Sequence, residues 1–356
     1  MEPVRDSLSP IGGGWVGADL AADPSRWRIE LPPAVRDELM ELAAKRAGHA
    51  AAFDDNAPIT SRATAEFVSR LRDMFTAGCH FAVVAGFPYE PISTAQDAYW
   101  LLGLLLGDPI SQSPQRTLIG HIEVHTPSDR DRRTWEASNA LPFHTDPADL
   151  VTMLCIRPAP SGGLSQLASA RAVHDLLLAE APDHLAELYR PLPQECRRKP
   201  ELREWTAIPV FARAPNGDFT VRHARWHVQA AQRHTDVPRL TDGQLAALDA
   251  LDEIVARPGV SLDMDLRPGE LQLFNNAEVL HARTEFADAL SGAGRLLLRL
   301  WLSFADSPEL PGAYQQLFGA TAAGSYRGGV WPAEPDPDRL GLPVRASRVP
   351  GSITYQ

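Results

Sequence analysis

The chain has 356 residues, a formal net charge of −11, and 44% hydrophobic against 22% charged residues. That is enough chain to bury a sizeable core, and too acidic a balance for a general nucleic-acid surface. Three scattered cysteines (Cys79, Cys155 and Cys196) without a Cys-x-x-Cys pair exclude a disulfide framework and a cysteine zinc site.

The N-terminus, MEPVRDSLSPIGGG, lacks the basic start and apolar core of a signal peptide. No apolar run is long enough to span a membrane, so the expected location is the cytoplasm. Residues 33–47 open on prolines and show helical apolar spacing. A second helix is predicted over 61–77, where Phe67, Leu71 and Phe75 stand four apart. HFAVVAGF (80–87) reads as a buried strand, and Ser93 or Thr94 is expected to cap a third helix that runs to Leu106 and stops at Gly107. Strand-like segments then dominate: 117–124, 150–156, 205–212, 218–225, 261–265, 270–275 and 295–304. Two helical insertions interrupt them, at about 170–180 and 241–256, the second opening with a Thr241-x-x-Gln244 capping box.

Short strands between proline and glycine turns, after a helical start, predict an α+β fold with a mainly β core. The expected architecture is a double-stranded β-helix, or jelly-roll, with an N-terminal helical layer and helical insertions. One domain is expected over 1–330, with helices within 30–107 and the jelly-roll core over about 80–305. A proline-rich irregular tail is expected at 331–356.

LPFHTDPADL (141–150) carries His144 and Asp146 one residue apart, so on an extended strand both side chains project to one side. A lone His281 follows in LQLFNNAEVLHAR (271–283). A His-x-Asp pair, or a histidine in an apolar segment, is by itself more often a packed residue. Two histidines and one carboxylate together make the ligand set of a mononuclear non-haem Fe(II) site with open positions. The strand at 295–304 alternates: Arg295, Leu297, Arg299, Trp301 and Ser303 on one face, Leu296, Leu298, Leu300, Leu302 and Phe304 on the other. At about 3.3 Å per residue the two arginines stand roughly 13 Å apart, able to face one cavity and hold different groups. A guanidinium fork suits an anionic co-substrate.

Other clusters compete. His121, Glu123 and His125 alternate along a strand, and His223-x-x-x-His227 has zinc-like spacing without an obvious third ligand. Arg222 and Arg225 could meet an anion or solvent, Asn275-Asn276 is expected to shape the turn before His281, and Gly162-Gly163 reads as a tight turn, not a phosphate loop.

In this order, LPFHTDPADL, RPAPSGGLSQLAS (157–169), LRPGELQLFNNAEVLHART (266–284) and RLLLRLWL (295–302) resemble the taurine dioxygenase and clavaminate synthase-like branch of Fe(II)/2-oxoglutarate oxygenases. The resemblance runs from GGWVGADLAADPSRW (13–27) to SYRGGVW (325–331). It implies that His144, Asp146 and His281 hold Fe(II). It also implies that Arg295, 14 positions after His281, grips the distal carboxylate of 2-oxoglutarate. Ser165 stands where relatives often place a threonine that helps bind that carboxylate, and Gln112 where they line the substrate pocket. Arg299 is either a partner for a substrate carboxylate or a support behind the metal ligands. The implied reaction consumes 2-oxoglutarate and O2, releases succinate and CO2, and hydroxylates an unactivated C–H of a small carboxylate- or amino-acid-containing metabolite. Asp146 argues against halogenation, because halogenating relatives replace that carboxylate with a small residue. Desaturation, cyclisation and a peptide substrate stay open, as do a zinc hydrolase on the same ligands and a non-catalytic jelly-roll binding protein. The expected partner is a small molecule, with no nucleic acid or membrane; the oligomeric state is not legible.

Overall fold

The helices expected near the N-terminus form as α1 (Pro33–Arg46), α2 (Arg62–Thr76) and α3 (Ile92–Leu106). The computed structural model describes residues 8–46, 60–123, 138–196, 204–287, 294–330 and 339–345. Ser61 caps α2 through its side chain, which accepts from Thr64 N. The start of α3 differs from expectation. Pro91, not Ser93 or Thr94, is its N-cap, because an extended proline with no N–H to satisfy can already set the turn. The helix ends at Gly107 as expected; a Cβ there would stand 2.3 Å from the carbonyl oxygen of Ser303.

The strands of the two principal sheets are β1 (Arg28–Glu30), β2 (Phe81–Ala85), β3 (Asp108–Pro109), β4 (Ile119–Ile122), β5 (Leu141–His144) and β6 (Leu150–Arg157). They continue with β7 (Ser165–Ser169), β8 (Leu262–Met264), β9 (Leu271–Asn275), β10 (Val279–Arg283) and β11 (Leu296–Ser303). The larger sheet has the order β1-β2-β9-β6-β11-β3, with β4 also paired to β11; the smaller runs β8-β7-β10-β5. The molecule is thus a mixed helix and sheet protein.

Of the smaller sheet, the sequence anticipates an extended segment at His144 but not β7 or β10. β5 contains Pro142, which is tolerated because β5 pairs only with β10 and lies at the sheet edge. β7 is short and half polar. β10 is buried on both faces, so it shows no alternation; the turn expected before His281 forms at 276–278, and His281 itself lies on the strand that follows it. The expected strand at 205–212 is split into Trp205–Ile208 and Phe211–Arg213, and that at 218–225 shortens to Phe219–Val221, followed by α5 (Arg225–Ala231).

Side-chain alternation builds four layers. Leu296, Leu298, Leu300 and Leu302 of β11, with Leu271 and Leu273 of β9, pack against α1, α2 and α3. Leu297 and Trp301 face inward, where they meet Val151, Leu167, Phe274 and Val279 between the sheets. Beyond the smaller sheet, Ala168, Leu280 and Ala282 pack against α4 (Ala170–Glu180) and α6 (Asp242–Val255). The Thr241–Gln244 capping box forms as the sequence predicts. Polar side chains that alternation sends into the space between the sheets lie there beside an apolar core. They are buried at a cost that ligation or pairing must offset.

One such group is structural. Arg327, fully buried, donates through Nε to Asp149 Oδ1 at 2.9 Å and through Nη2 to Pro308 O at 2.8 Å. Asp149 also accepts from Phe304 N at 3.0 Å, so this pair ties the C-terminal segment to the turn after β5. Arg327→Met is expected to lower unfolding free energy by about 3–5 kcal/mol, because Asp149 is left as an uncompensated buried charge. Urea titration checks this; a loss below about 1 kcal/mol would show that the pair contributes little beyond packing. Residues 339–345 of the tail are docked: Pro343 bridges to Ser325, Tyr326 N donates to Leu342 O at 2.7 Å, and Arg339 pairs with Asp108.

Candidate active site

His144 ends β5 and His281 sits at the centre of β10, directly opposite it in the antiparallel register. Their rings lie 3.9 Å apart, centroid to centroid. The expectation that Asp146 continues the strand is corrected: β5 stops at His144, and the next amides turn to other partners. Thr145 N donates to His223 O at 2.7 Å, and Asp146 N to Asn276 Oδ1 at 3.1 Å. The turn still brings the carboxylate beside both rings, with His144 Nε2 3.8 Å from Oδ1 and His281 Nε2 3.6 Å from Oδ2. These gaps are too long for hydrogen bonds. One ligand atom from each residue lies within 4.8 Å of the others, and all three residues are buried.

The donor set fits a metal ion. His144 Nδ1 lies 2.9 Å from the Pro142 carbonyl, which fixes the Nδ1–H tautomer and leaves the Nε2 lone pair for a ligand. Burial, reinforced by neighbouring His281, holds the His144 pKa well below the usual value, so the ring is neutral at pH 7. Burial alone would raise the Asp146 carboxyl. Arg299, together with His281 and His144, outweighs it and keeps the group well below the usual carboxylate range. His281 Nδ1 is buried with no hydrogen-bond partner among the described residues, and its ring packs against His144 and against Phe274 at 4.7 Å.

The cavity over these residues is lined by Ser165, Arg283, Arg295 and Arg299 as well as by the two histidines. Arg295, just before β11, is buried with its guanidinium 5.1 Å from the Phe286 ring centroid. Gly162 and Gly163 adopt positive φ, and a Cβ on Gly163 would stand 3.4 Å from Arg295 Nε. Ser165 donates to Gln272 Oε1 at 2.8 Å across the sheets, so its hydroxyl must rotate before it can donate to an anion. Arg299 Nε donates to Gln112 Oε1 at 2.7 Å, and Gln112 Nε2 returns a bond to Arg299 O at 2.8 Å. Gln112 is therefore engaged with Arg299, whose Nη1 stands 3.6 Å from Asp146 Oδ2.

Several residues of this site escaped the sequence reading. Arg283, two after His281 on the same strand face, lines the cavity; burial and neighbouring Arg295 bring its pKa down to about 10. Had β10 been read as a strand, period two would have found it. Trp226 of α5 lies 4.8 Å from the His144 ring. Trp301 donates to Asp146 Oδ2 at 2.9 Å. Asn276 was read only as a turn residue; its Nδ2 also donates to the carbonyls of Asp146 and Ala148.

The competing clusters do not assemble among the described residues. His121 is exposed on β4, and His125 lies outside those residues. His223 is buried 3.3 Å from Asp252, just before α5, which carries His227. Arg222 is buried and donates to Thr145 Oγ1 at 3.0 Å, while Arg225 pairs with Asp249 and Asp252. No helix among the described residues is long and apolar enough to cross a membrane.

The chain is similar to several known proteins. FR-33289 synthase of Streptomyces rubellomurinus is 25% identical over 306 residues, covering 81% of this chain and 88% of its own. The taurine hydroxylase-like protein SAT17 of Stachybotrys chartarum is 29% identical over 168 residues, 45% of this chain and 41% of its own. An asparagine oxygenase solved with Fe(II), (2S,3S)-3-hydroxyasparagine and succinate superposes with a TM-score of 0.61 at 21% identity, covering 78% of this chain and 93% of that one. The non-haem iron oxygenase OrfP with Fe and α-ketoglutaric acid gives 0.57 at 18% identity, over 77% and 93%. The family model described as "Taurine catabolism dioxygenase TauD, TfdA family" matches residues 42–301. The chain belongs to the TauD/TfdA family of iron(II)- and 2-oxoglutarate-dependent dioxygenases.

Proposed function

We propose that this enzyme hydroxylates an unactivated C–H bond of a small amino-acid-type substrate, with His144, Asp146 and His281 holding Fe(II). The observation that carries this reading is the buried three-donor cluster with Arg295 and Arg299 in the same cavity. The larger and smaller sheets are read as the two faces of a jelly-roll, within one oxygenase domain that extends to residue 330. Two solved structures of the same fold support the substrate class, one holding hydroxyasparagine and another (3S)-hydroxy-L-Arg.

Bound Fe(II) supplies the coupling of 2-oxoglutarate decarboxylation, to succinate and CO2, with O2-dependent oxidation of the substrate C–H bond. The protein positions the partners. Arg295 receives the far carboxylate of 2-oxoglutarate, with the Ser165 hydroxyl turned from Gln272 toward it. Arg299, its fork held by Gln112, receives the substrate carboxylate; that frame keeps the cation close to Asp146, and a rigid cation spends little of its binding on ordering itself. Apolar walls such as Leu297 and Ile122 exclude water around these charges and strengthen their attraction.

Succinate release by the Fe(II)-loaded enzyme, screened against free amino acids in air, is expected to depend on one of them. Arg299→Met is expected to raise the KM for that amino acid about a hundredfold, by loss of roughly 3 kcal/mol, with the KM for 2-oxoglutarate near wild type. Tightly retained zinc and no 2-oxoglutarate turnover would instead bring forward a hydrolase on the same ligands.

A further inference from the structure

Asp146 is the ligand with the least backbone support, since it lies beyond the end of β5 and takes no part in a ladder. It is nevertheless held at both ends. Asn276 accepts from its N–H and donates to its carbonyl oxygen, as a paired strand would. Its carboxylate is reached from the other sheet: Trp301 Nε1 donates to Oδ2 at 2.9 Å. Trp301 is 3% exposed on a strand buried throughout, and the Arg299 guanidinium lies 4.6 Å from its ring centroid. The indole therefore has no room to swing away.

We propose that Trp301 is a positioning residue for the metal centre: its N–H occupies Oδ2 of Asp146 and confines the carboxylate to binding the metal through one oxygen, Oδ1. The proposal rests on the reading of His144, Asp146 and His281 as that centre. A carboxylate can bind an ion through one oxygen or both. Binding through both would pull Oδ2 off the indole and leave a buried N–H without an acceptor, which a protein interior opposes. With one oxygen engaged, three protein donors fill three positions, and the rest stay open for a chelating co-substrate and O2. The histidines need no such restraint, because each has one ring nitrogen directed at the centre.

The test uses Co(II) alone as the probe, titrated into the full-length apoprotein. Two variants are compared with wild type: Trp301→Phe, and a chain with 3-benzothienylalanine in place of Trp301, where sulfur replaces the N–H in a ring of nearly the same shape. Both are expected to weaken Co(II) binding by roughly 10–100-fold and to alter the visible absorption of bound Co(II), with a fall in apoprotein melting temperature from the lost hydrogen bond that is smaller in the benzothienyl chain, which keeps the ring shape. Unchanged affinity and spectrum in the benzothienyl chain would overturn the proposal, whether or not Trp301→Phe folds. A lowered melting temperature with unchanged Co(II) affinity and spectrum would assign Trp301 to packing, and equally overturn it. Failure of the metal-centre reading looks different: His144→Ala would then bind Co(II) as tightly as wild type.

Discussion

Asp146→Ala is expected to yield a folded protein that binds Fe(II) too weakly to retain it and turns over 2-oxoglutarate at least about a thousandfold more slowly, a loss of roughly 4 kcal/mol or more. The carboxylate is the one anionic donor of the three, and it is the group around which the other charges are arranged. Arg299 Nη1 stands 3.6 Å from it, and Trp301 spends its N–H on it. Removing it leaves two neutral imidazoles to hold a divalent ion beside a buried guanidinium, which repels the ion instead of being offset. Asp146→Asn separates charge from shape. It keeps an oxygen for Trp301 and nearly the same volume, so its unfolding free energy should stay nearer wild type than that of the alanine variant, while metal affinity is still lost. Metal content after dialysis, with succinate release as the second readout, checks both variants. An alanine variant that retains iron at wild-type affinity would remove Asp146 from the centre.

How much of this site was legible depended on the range of the interaction that defines each residue. The alternation along β11 was readable because eight consecutive residues report on two different environments. Leu296, Leu298, Leu300 and Leu302 face the helices, and Leu297, Arg299 and Trp301 face the space between the sheets. The Thr241–Gln244 box was readable because both partners lie within one helical turn. β10 was not, since VLHAR is short and buried on both faces, so no period distinguishes a strand from a turn. Missing β10 also hid Arg283, which only a strand places beside His281. The hold of Asn276 on residue 146 spans 130 positions, and no local pattern can encode it. Trp301 was the recoverable omission. It was already on the arginine face by period two, but its partner, one oxygen of Asp146, exists only when the sheets close.

The second large effect is expected at Arg295. Arg295→Leu should raise the KM for 2-oxoglutarate about a hundredfold or more, by loss of roughly 3 kcal/mol, with a smaller fall in kcat once 2-oxoglutarate saturates. The asymmetry follows from what the guanidinium would touch. It would hold the end of the co-substrate away from the reacting atoms, so its contribution is nearly the same in ground and transition states and is spent on binding. Stability should move little, or rise, because the substitution removes one of two buried guanidiniums near the Phe286 ring and relieves the repulsion that helps depress Arg283. Arg295→Lys should recover only part of the affinity, since an ammonium offers a point charge where a fork can meet both carboxylate oxygens. The KM for the amino-acid substrate is the internal control: it should stay within a few-fold of wild type, the reverse of the Arg299→Met pattern. If neither Arg295 variant moved the KM for 2-oxoglutarate, the distal carboxylate would have to be held elsewhere. Arg283 would then be the next cation to replace, although one of its nitrogens already donates to Asn139 O at 2.6 Å.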